Sequence, residues 1–134
     1  MDIMFDTNII ISAALFPNER MNKFLEIIST EHQLFICTYS LDELERVVKR
    51  KFLSRMKNLE LFLQKLHYTL IHTPTVDILD LDISIRDKKD YPVIISAITA
   101  DVDILITGDK DFDSLSIERP IITTISDFIK SYIN

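Results

Sequence analysis

Residues 1–14, MDIMFDTNIIISAA, decide the fold of this chain. The apolar opening at 1–5 predicts a short buried strand that ends at Asp6. The apolar pattern that follows predicts a helix over 8–15, with Asn8 as its capping residue. A carboxylate at the carboxyl end of a buried strand, just before a helix, stands where open α/β sheets bind their ligands. Asp6 is therefore the first candidate functional residue.

The composition predicts one folded domain over residues 1–134. The chain is 47% hydrophobic and 27% charged, so it can bury an ordinary core. Its apolar runs are far shorter than the roughly 18 residues that span a bilayer, and the first strand leaves no room for a targeting peptide before it. Cys37 is the one cysteine, which excludes an internal disulfide and a cysteine-rich zinc site. We expect a cytoplasmic protein without membrane association.

The charge is distributed unevenly. A net charge of −6 by itself argues against a nucleic-acid partner. However, residues 46–57 carry six basic side chains and no acid, whereas residues 77–113 carry ten aspartates. Such an asymmetry suits a polyanion held beside a cation-binding pocket, although most charge runs are only solvated surface.

Strands and helices alternate along the rest of the chain. Apolar periodicity and breaker residues predict helices over 19–29, from Ser40, over 52–70 and over 91–100, and strands over 34–38, 102–107 and 120–122. Strands connected through helices form parallel sheets. The predicted fold is therefore α/β, a three-layer α/β/α sandwich with a central, mostly parallel sheet of four to five strands.

Several carboxylates stand at the ends of these elements. In chain order they are Asp6, Glu43, Asp87, Asp90, Asp109 and Asp111. Because the carboxyl ends of parallel strands meet at one edge, we expect these acids to converge. Two carboxylates about 4 Å apart repel by roughly 4 kcal/mol at an effective dielectric constant near 20. A cluster of four or more therefore implies raised pKa values or bound cations.

An all-oxygen cluster suits Mg²⁺ or Mn²⁺ better than zinc. The three histidines lie away from these stretches, in contexts typical of surface or packing residues. Small polar residues near the acids can orient the carboxylates or waters, or simply cap helices and turns. They are Thr7, Asn8, Ser12 and Thr107. Glu43 has a structural alternative of its own, because Ser40 with Glu43 three residues later matches a helix capping box.

The motifs together resemble the PIN (PilT N-terminal) domain, most closely the VapC-like ribonuclease toxins of toxin–antitoxin pairs. The matching pieces are Asp6-Thr7-Asn8 with Ser12-Ala13, Ser40-x-x-Glu43, Arg86-Asp87-x-x-Asp90 and Thr107-Gly108-Asp109-Lys110-Asp111-Phe112. They occur in the family's order over nearly the whole chain. The helix start Tyr91-Pro92 departs from the usual pattern without removing an acid.

The resemblance implies a metal-dependent endoribonuclease. Its catalytic acids fall on Asp6, Glu43, Asp90 and Asp109, which would hold one or two Mg²⁺ or Mn²⁺ ions together with Asp111. Asp87 would support them, and whether Asp87 or Asp90 lies closer to the metal stays open. Water activated at the metal would attack phosphorus in line and leave 5′-phosphate products.

The resemblance also implies partners. RNA is the substrate, and toxin-type members act with an antitoxin protein, while a homodimer stays open. The basic residues that would steer the RNA backbone are Arg46, Lys49, Arg50 and Lys51.

Two other classes of protein compete with this interpretation. A haloacid-dehalogenase-like phosphatase needs a second aspartate two residues after Asp6, where Asn8 stands, and a receiver domain needs a phosphoacceptor aspartate near mid-chain, where residues 46–57 have no acid. A catalytically inactive PIN domain that acts as a binding module is the third alternative. The presence of all the acids argues against it.

Overall fold

A computed structural model describes residues 1–75, 91–108 and 117–133. In chain order its elements are β1 (Asp2–Phe5), α1 (Thr7–Leu15), α2 (Glu19–Glu31), β2 (Gln33–Cys37), α3 (Thr38–Lys51), a 3₁₀ turn (Leu53–Arg55), α4 (Met56–Lys65), β3 (Thr69–Ile71), α5 (Tyr91–Thr99), β4 (Ile104–Ile106), β5 (Ile121–Thr123) and α6 (Ile125–Tyr132). No helix in this part of the chain has both the length and the apolar character needed to cross a bilayer.

The strands form one sheet in the order β3-β2-β1-β4-β5. Every pair of neighbouring strands is parallel, which confirms the predicted α/β fold with a mostly parallel sheet of four to five strands. β1 is central, with Ile3 opposite Leu34 of β2 on one side and Ile104 of β4 on the other. The strand order reverses between β1 and β4. The carboxyl end of such a switch point is where α/β sheets bind ligands.

Helices cover both faces of the sheet and complete the predicted three layers. Side chains alternate along β1, so that Ile3 and Phe5 face one core and Met4 faces the other. The first core is packed by α1, α2, α3, α4 and α6, and the second by α5. Connections between parallel strands are right-handed. The connections from β1 to β2 and from β2 to β3 run toward one side of the sheet, whereas the connection from β3 to β4 runs back toward the other side. Their helices therefore lie on opposite faces of the sheet.

The predicted helix over 52–70 is wrong in its last five residues, and it begins with a 3₁₀ turn at Leu53–Arg55 before α4. α4 ends at Lys65, and Thr69–Ile71 pairs with β2 as the edge strand β3. Leu66 and Leu70 continue the helical spacing, which is why the sequence pattern favoured one long helix. The backbone groups of β2 need hydrogen-bond partners on their open side, and pairing with β3 supplies them. That tertiary requirement outweighs the local helical pattern.

Candidate active site

Asp6 lies at the end of β1, beside β4. The strand register sets Phe5 opposite Ile106, so the following residues, Asp6 and Thr107, are neighbours across the two strands. The Asp6 amide donates to the Ile106 carbonyl at 3.0 Å, and the Thr107 hydroxyl donates to Asp6 Oδ2 at 2.7 Å. The exposed fraction is 6% for Asp6 and 3% for Thr107. Pairing of these strands therefore fixes a buried carboxylate at the switch point.

The second oxygen of Asp6 faces the start of α1. Asp6 Oδ1 accepts a hydrogen bond from the Thr7 amide at 2.7 Å, and Asp6 is the N-cap residue of the helix. The predicted cap, Asn8, is wrong; Asn8 lies exposed within the first turn, and Ser12 lies half-buried one turn later. A negative charge at a helix N-terminus is stabilised by the aligned peptide dipoles. The two hydrogen bonds described at Asp6 come from uncharged donors and orient the carboxylate.

α1 and α3 begin side by side at this edge. The Thr7 hydroxyl donates to Ser40 Oγ at 3.1 Å, and the Cys37 thiol contacts the same oxygen at 3.3 Å. The predicted capping box at Ser40 and Glu43 is wrong, because α3 begins at Thr38 and its N-cap, Cys37, makes no side-chain capping bond. Ser40 is instead a fully buried contact between two helices. Glu43 therefore has no capping role.

Glu43 lies half-buried in the second turn of α3. Its Oε2 accepts a hydrogen bond from the Tyr39 hydroxyl at 3.3 Å. Burial raises the pKa of the Tyr39 hydroxyl, and the nearby Glu43 charge raises it further. Tyr39 consequently stays protonated at neutral pH and keeps donating to the carboxylate.

Tyr39 is a site residue that the sequence analysis missed. The motif Ser40-x-x-Glu43 drew attention to a helix start at Ser40, whereas the helix already includes Thr38. With that start, Tyr39 stands four residues before Glu43, the spacing at which helical side chains meet. This spacing was the available signal.

Hydroxyl groups also join the start of α3 to the chain after β3 and to α5. The Tyr39 amide donates to Thr73 Oγ1 at 3.1 Å, and the Thr73 amide donates to Thr38 Oγ1 at 3.0 Å. The Ser96 hydroxyl contacts Thr73 Oγ1 at 3.0 Å. Thr73 follows β3, and Ser96 belongs to α5. The chain after β3 thus ties the start of α3 to the helix on the opposite face of the sheet.

Four predicted acids lie outside the described residues. They are Asp87, Asp90, Asp109 and Asp111. Two described residues lie close to them in sequence: Tyr91, the buried first residue of α5, directly follows Asp90, and Thr107, which contacts Asp6, lies two residues before Asp109. Among the described residues, Asp6 contacts both Thr7 and Thr107. The Thr7 hydroxyl in turn contacts Ser40 in the first turn of α3.

The basic stretch at 46–57 serves several roles. Lys49 pairs with Glu45 at 2.7 Å, and Arg55 donates at 2.6 Å to the carbonyl that ends α1. Other members border a groove of about 300 Å³ on the outer face of α3. This groove is lined by Tyr39, Glu43, Arg46, Val47 and Arg50.

The donor atoms at this edge suit a hard divalent cation. Asp6 and Glu43 each contact a hydroxyl group, and carboxylate and hydroxyl oxygens favour Mg²⁺ or Mn²⁺ over softer metals. Within residues 1–75, 91–108 and 117–133, no group of three His, Cys, Asp or Glu side chains could hold a metal. A complete ligand set would therefore need acids from outside these ranges.

Comparison with known proteins identifies the class of fold. A family model described as PIN domain matches residues 2–111, and the chain therefore belongs to the PIN domain family. A chain in the crystal structure of VapBC2 from Rickettsia felis bound to a DNA fragment from their promoter has the same fold, with a TM-score of 0.69 and 20% sequence identity. The alignment covers 92% of this chain and 97% of that chain. No curated protein sequence matches significantly.

Proposed function

We propose that this protein is a metal-dependent endoribonuclease and the toxin of a toxin–antitoxin pair. The observation that carries the proposal is the buried Asp6 carboxylate, held at the switch point of a PIN-domain sheet by the Thr107 hydroxyl and the Thr7 amide. Structural similarity to a chain of VapBC2 supports the toxin assignment and an antitoxin partner. A cytoplasmic location follows from the proposed RNA substrate.

The proposed ligand set consists of Asp6 and Glu43 with Asp90, Asp109 and Asp111, supported by Asp87. Bound Mg²⁺ or Mn²⁺ supplies a Lewis acid that activates water and offsets the charge on the phosphoryl oxygens. The residues of the chain hold and orient the carboxylates. Thr107 and the Thr7 amide each fix one oxygen of Asp6, and Tyr39 fixes Glu43.

A cleavage assay on purified RNA tests the proposal. We expect the wild-type chain to cleave with Mg²⁺ or Mn²⁺ and not with EDTA, and Asp6→Asn to lose activity by roughly a thousandfold, because charged groups at a reaction centre contribute on the order of 10²–10³ each. Asp103→Asn, at the other end of the sheet, is the matched control and should keep full activity.

Binding of the ion is read out independently by thermal unfolding. Metal at about a hundred times its dissociation constant should stabilise the wild-type chain by roughly 2.7 kcal/mol. Asp6→Asn should lose this increment and Asp103→Asn should keep it. Full metal-dependent cleavage by Asp6→Asn would refute the assignment.

A further inference from the structure

We propose that the groove on the outer face of α3 binds the phosphate backbone of a single RNA strand next to the cleavage point, through Arg46 and Arg50. The groove has a volume of about 300 Å³, at the small end of the range for ligand pockets. This inference rests on the proposed nuclease function. The inference adds the direction in which the bound RNA strand runs away from the proposed active site.

The groove follows one face of a helix. Tyr39, Glu43, Arg46 and Arg50 are separated by four, three and four residues, so their side chains lie in a row along α3. With a rise of about 1.5 Å per residue, Arg46 stands about 4.5 Å beyond Glu43 along the axis, and Arg50 about 6 Å further. Two cations therefore lead away from the proposed catalytic carboxylate in a fixed direction.

Both arginines are available to an anion. They are exposed, and neither forms an ion pair with a carboxylate in the described ranges. The Arg46 guanidinium lies over the Tyr39 ring, with 6.0 Å between Cζ and the ring centroid, which restricts its orientation. Guanidinium groups bind phosphate through two parallel hydrogen bonds, whereas lysine acts as a point charge. The charge and shape of this row thus complement a phosphodiester backbone.

The neighbouring lysines differ from the arginines. Lys49 belongs to the same helix but pairs with Glu45 at 2.7 Å, and it does not line the groove. Lys51 is exposed and also lies outside the lining. The RNA contact predicted from sequence for Arg46, Lys49, Arg50 and Lys51 therefore narrows to the two arginines. Lys49 becomes a control of the same charge on the same helix.

The test measures RNA binding separately from cleavage. A short, fluorescently labelled single-stranded oligoribonucleotide is titrated by anisotropy with full-length Asp6→Asn protein, at several salt concentrations with Mg²⁺ present. Adding Arg46→Ala or Arg50→Ala should weaken binding about tenfold each, because a charge-assisted hydrogen-bond pair is lost. Each should also flatten the slope of log affinity against log salt by about 0.7, the value for one phosphate contact on a single strand.

Lys49→Ala in the same background should change affinity by less than about twofold, because its charge is already paired and exposed. Equal losses for all three variants would overturn the proposal by showing a diffuse charge effect. Unchanged binding in both arginine variants would also overturn the proposal. The groove would then belong to another ligand, such as an acidic protein segment. Binding of the oligoribonucleotide is measured separately from cleavage. The experiment therefore distinguishes a failure of the proposed groove from a failure of the nuclease assignment.

Discussion

An aspartate connects β1 to β4 at both edges of the sheet, the amino ends and the carboxyl ends of the strands. The groups that contact the aspartate differ between the two edges. At the amino edge, Asp103 accepts the Asp2 amide at 2.8 Å, and Arg119 contacts its other oxygen at 2.8 Å. At the carboxyl edge, Asp6 accepts the Thr107 hydroxyl and the Thr7 amide. Each edge connects residues 101 positions apart in the sequence.

The difference lies in the partners of each carboxylate. Arg119 also binds Asp101 at 2.8 Å, so two acids share one guanidinium at the amino edge. The hydroxyl and the amide described at Asp6 carry no formal charge, and the carboxylate is buried at the positive end of α1. A strand-end aspartate therefore indicates function only when its position in the topology and its neighbours are both known.

After Asp6→Asn, the largest loss of cleavage activity is expected from a substitution on α3. Glu43→Gln should lower metal-dependent cleavage by roughly a hundredfold, because it removes a charge proposed to act at the reaction centre and keeps the shape of the side chain. Asp42→Asn changes the adjacent, exposed acid of the same helix and should leave cleavage unchanged. Initial rates on RNA give the measurement. Equal activity in both variants would remove Glu43 from the site.

A smaller effect is expected where the strands end. Thr107→Val keeps the shape of the side chain but removes the donor to Asp6 Oδ2, and loss of such an orienting contact typically lowers metal affinity or activity by about 10- to 100-fold. Thr123→Val makes the same change on the neighbouring strand β5, where the hydroxyl donates to the Thr124 carbonyl at 3.3 Å. A metal titration of both variants, followed by thermal unfolding, compares them. Identical metal affinities would show that Thr107 does not position Asp6.

The smallest effect is expected at the amino edge. The Asp2 amide holds the pKa of Asp103 below its ordinary value of 3.8, and the Arg119 charge adds to this against the opposing effect of burial. A carboxyl group with a lowered pKa stabilises the fold above its ordinary pKa, and this contribution is lost as the pH falls through the folded value.

Asp103→Asn should therefore lower the free energy of unfolding by roughly 1 kcal/mol at neutral pH, because the Asn oxygen can still accept from the Asp2 amide but no longer carries the charge that strengthens the bond. It should also reduce the decline of stability below about pH 4. Urea unfolding at several pH values measures both effects. An unchanged acid profile would show that this edge adds no pH-dependent stability.

The central part of the fold was predictable from the sequence because its local and tertiary requirements agree. The apolar runs at 1–5 and 102–107 have no competing helical pattern, and each ends in polar residues, so β1, β4 and the placement of Asp6 were predicted correctly. The edge strand β3 was missed because Leu66 and Leu70 keep a helical spacing. Its pairing with β2 is a nonlocal contact that no local pattern encodes.

The site was predictable as a set of residue types, but its contacts were not. Thr107 was named as a small polar residue near the acids, whereas its bond to Asp6 depends on the register that sets Phe5 opposite Ile106. The role of Ser40 was misassigned because a capping box and a buried helix contact look alike in sequence. The predictions for Asp87, Asp90, Asp109 and Asp111 stay predictions.

The central position of β1 has a consequence for the order in which the protein is made. A ribosome delivers β2 soon after β1, but the second neighbour of β1, β4, is complete only at residue 106. The Thr107–Asp6 bond therefore cannot form until residue 107 has been synthesised, and closing a loop of this length is a slow, nonlocal step in folding. The proposed active site is therefore assembled only after translation has passed β4.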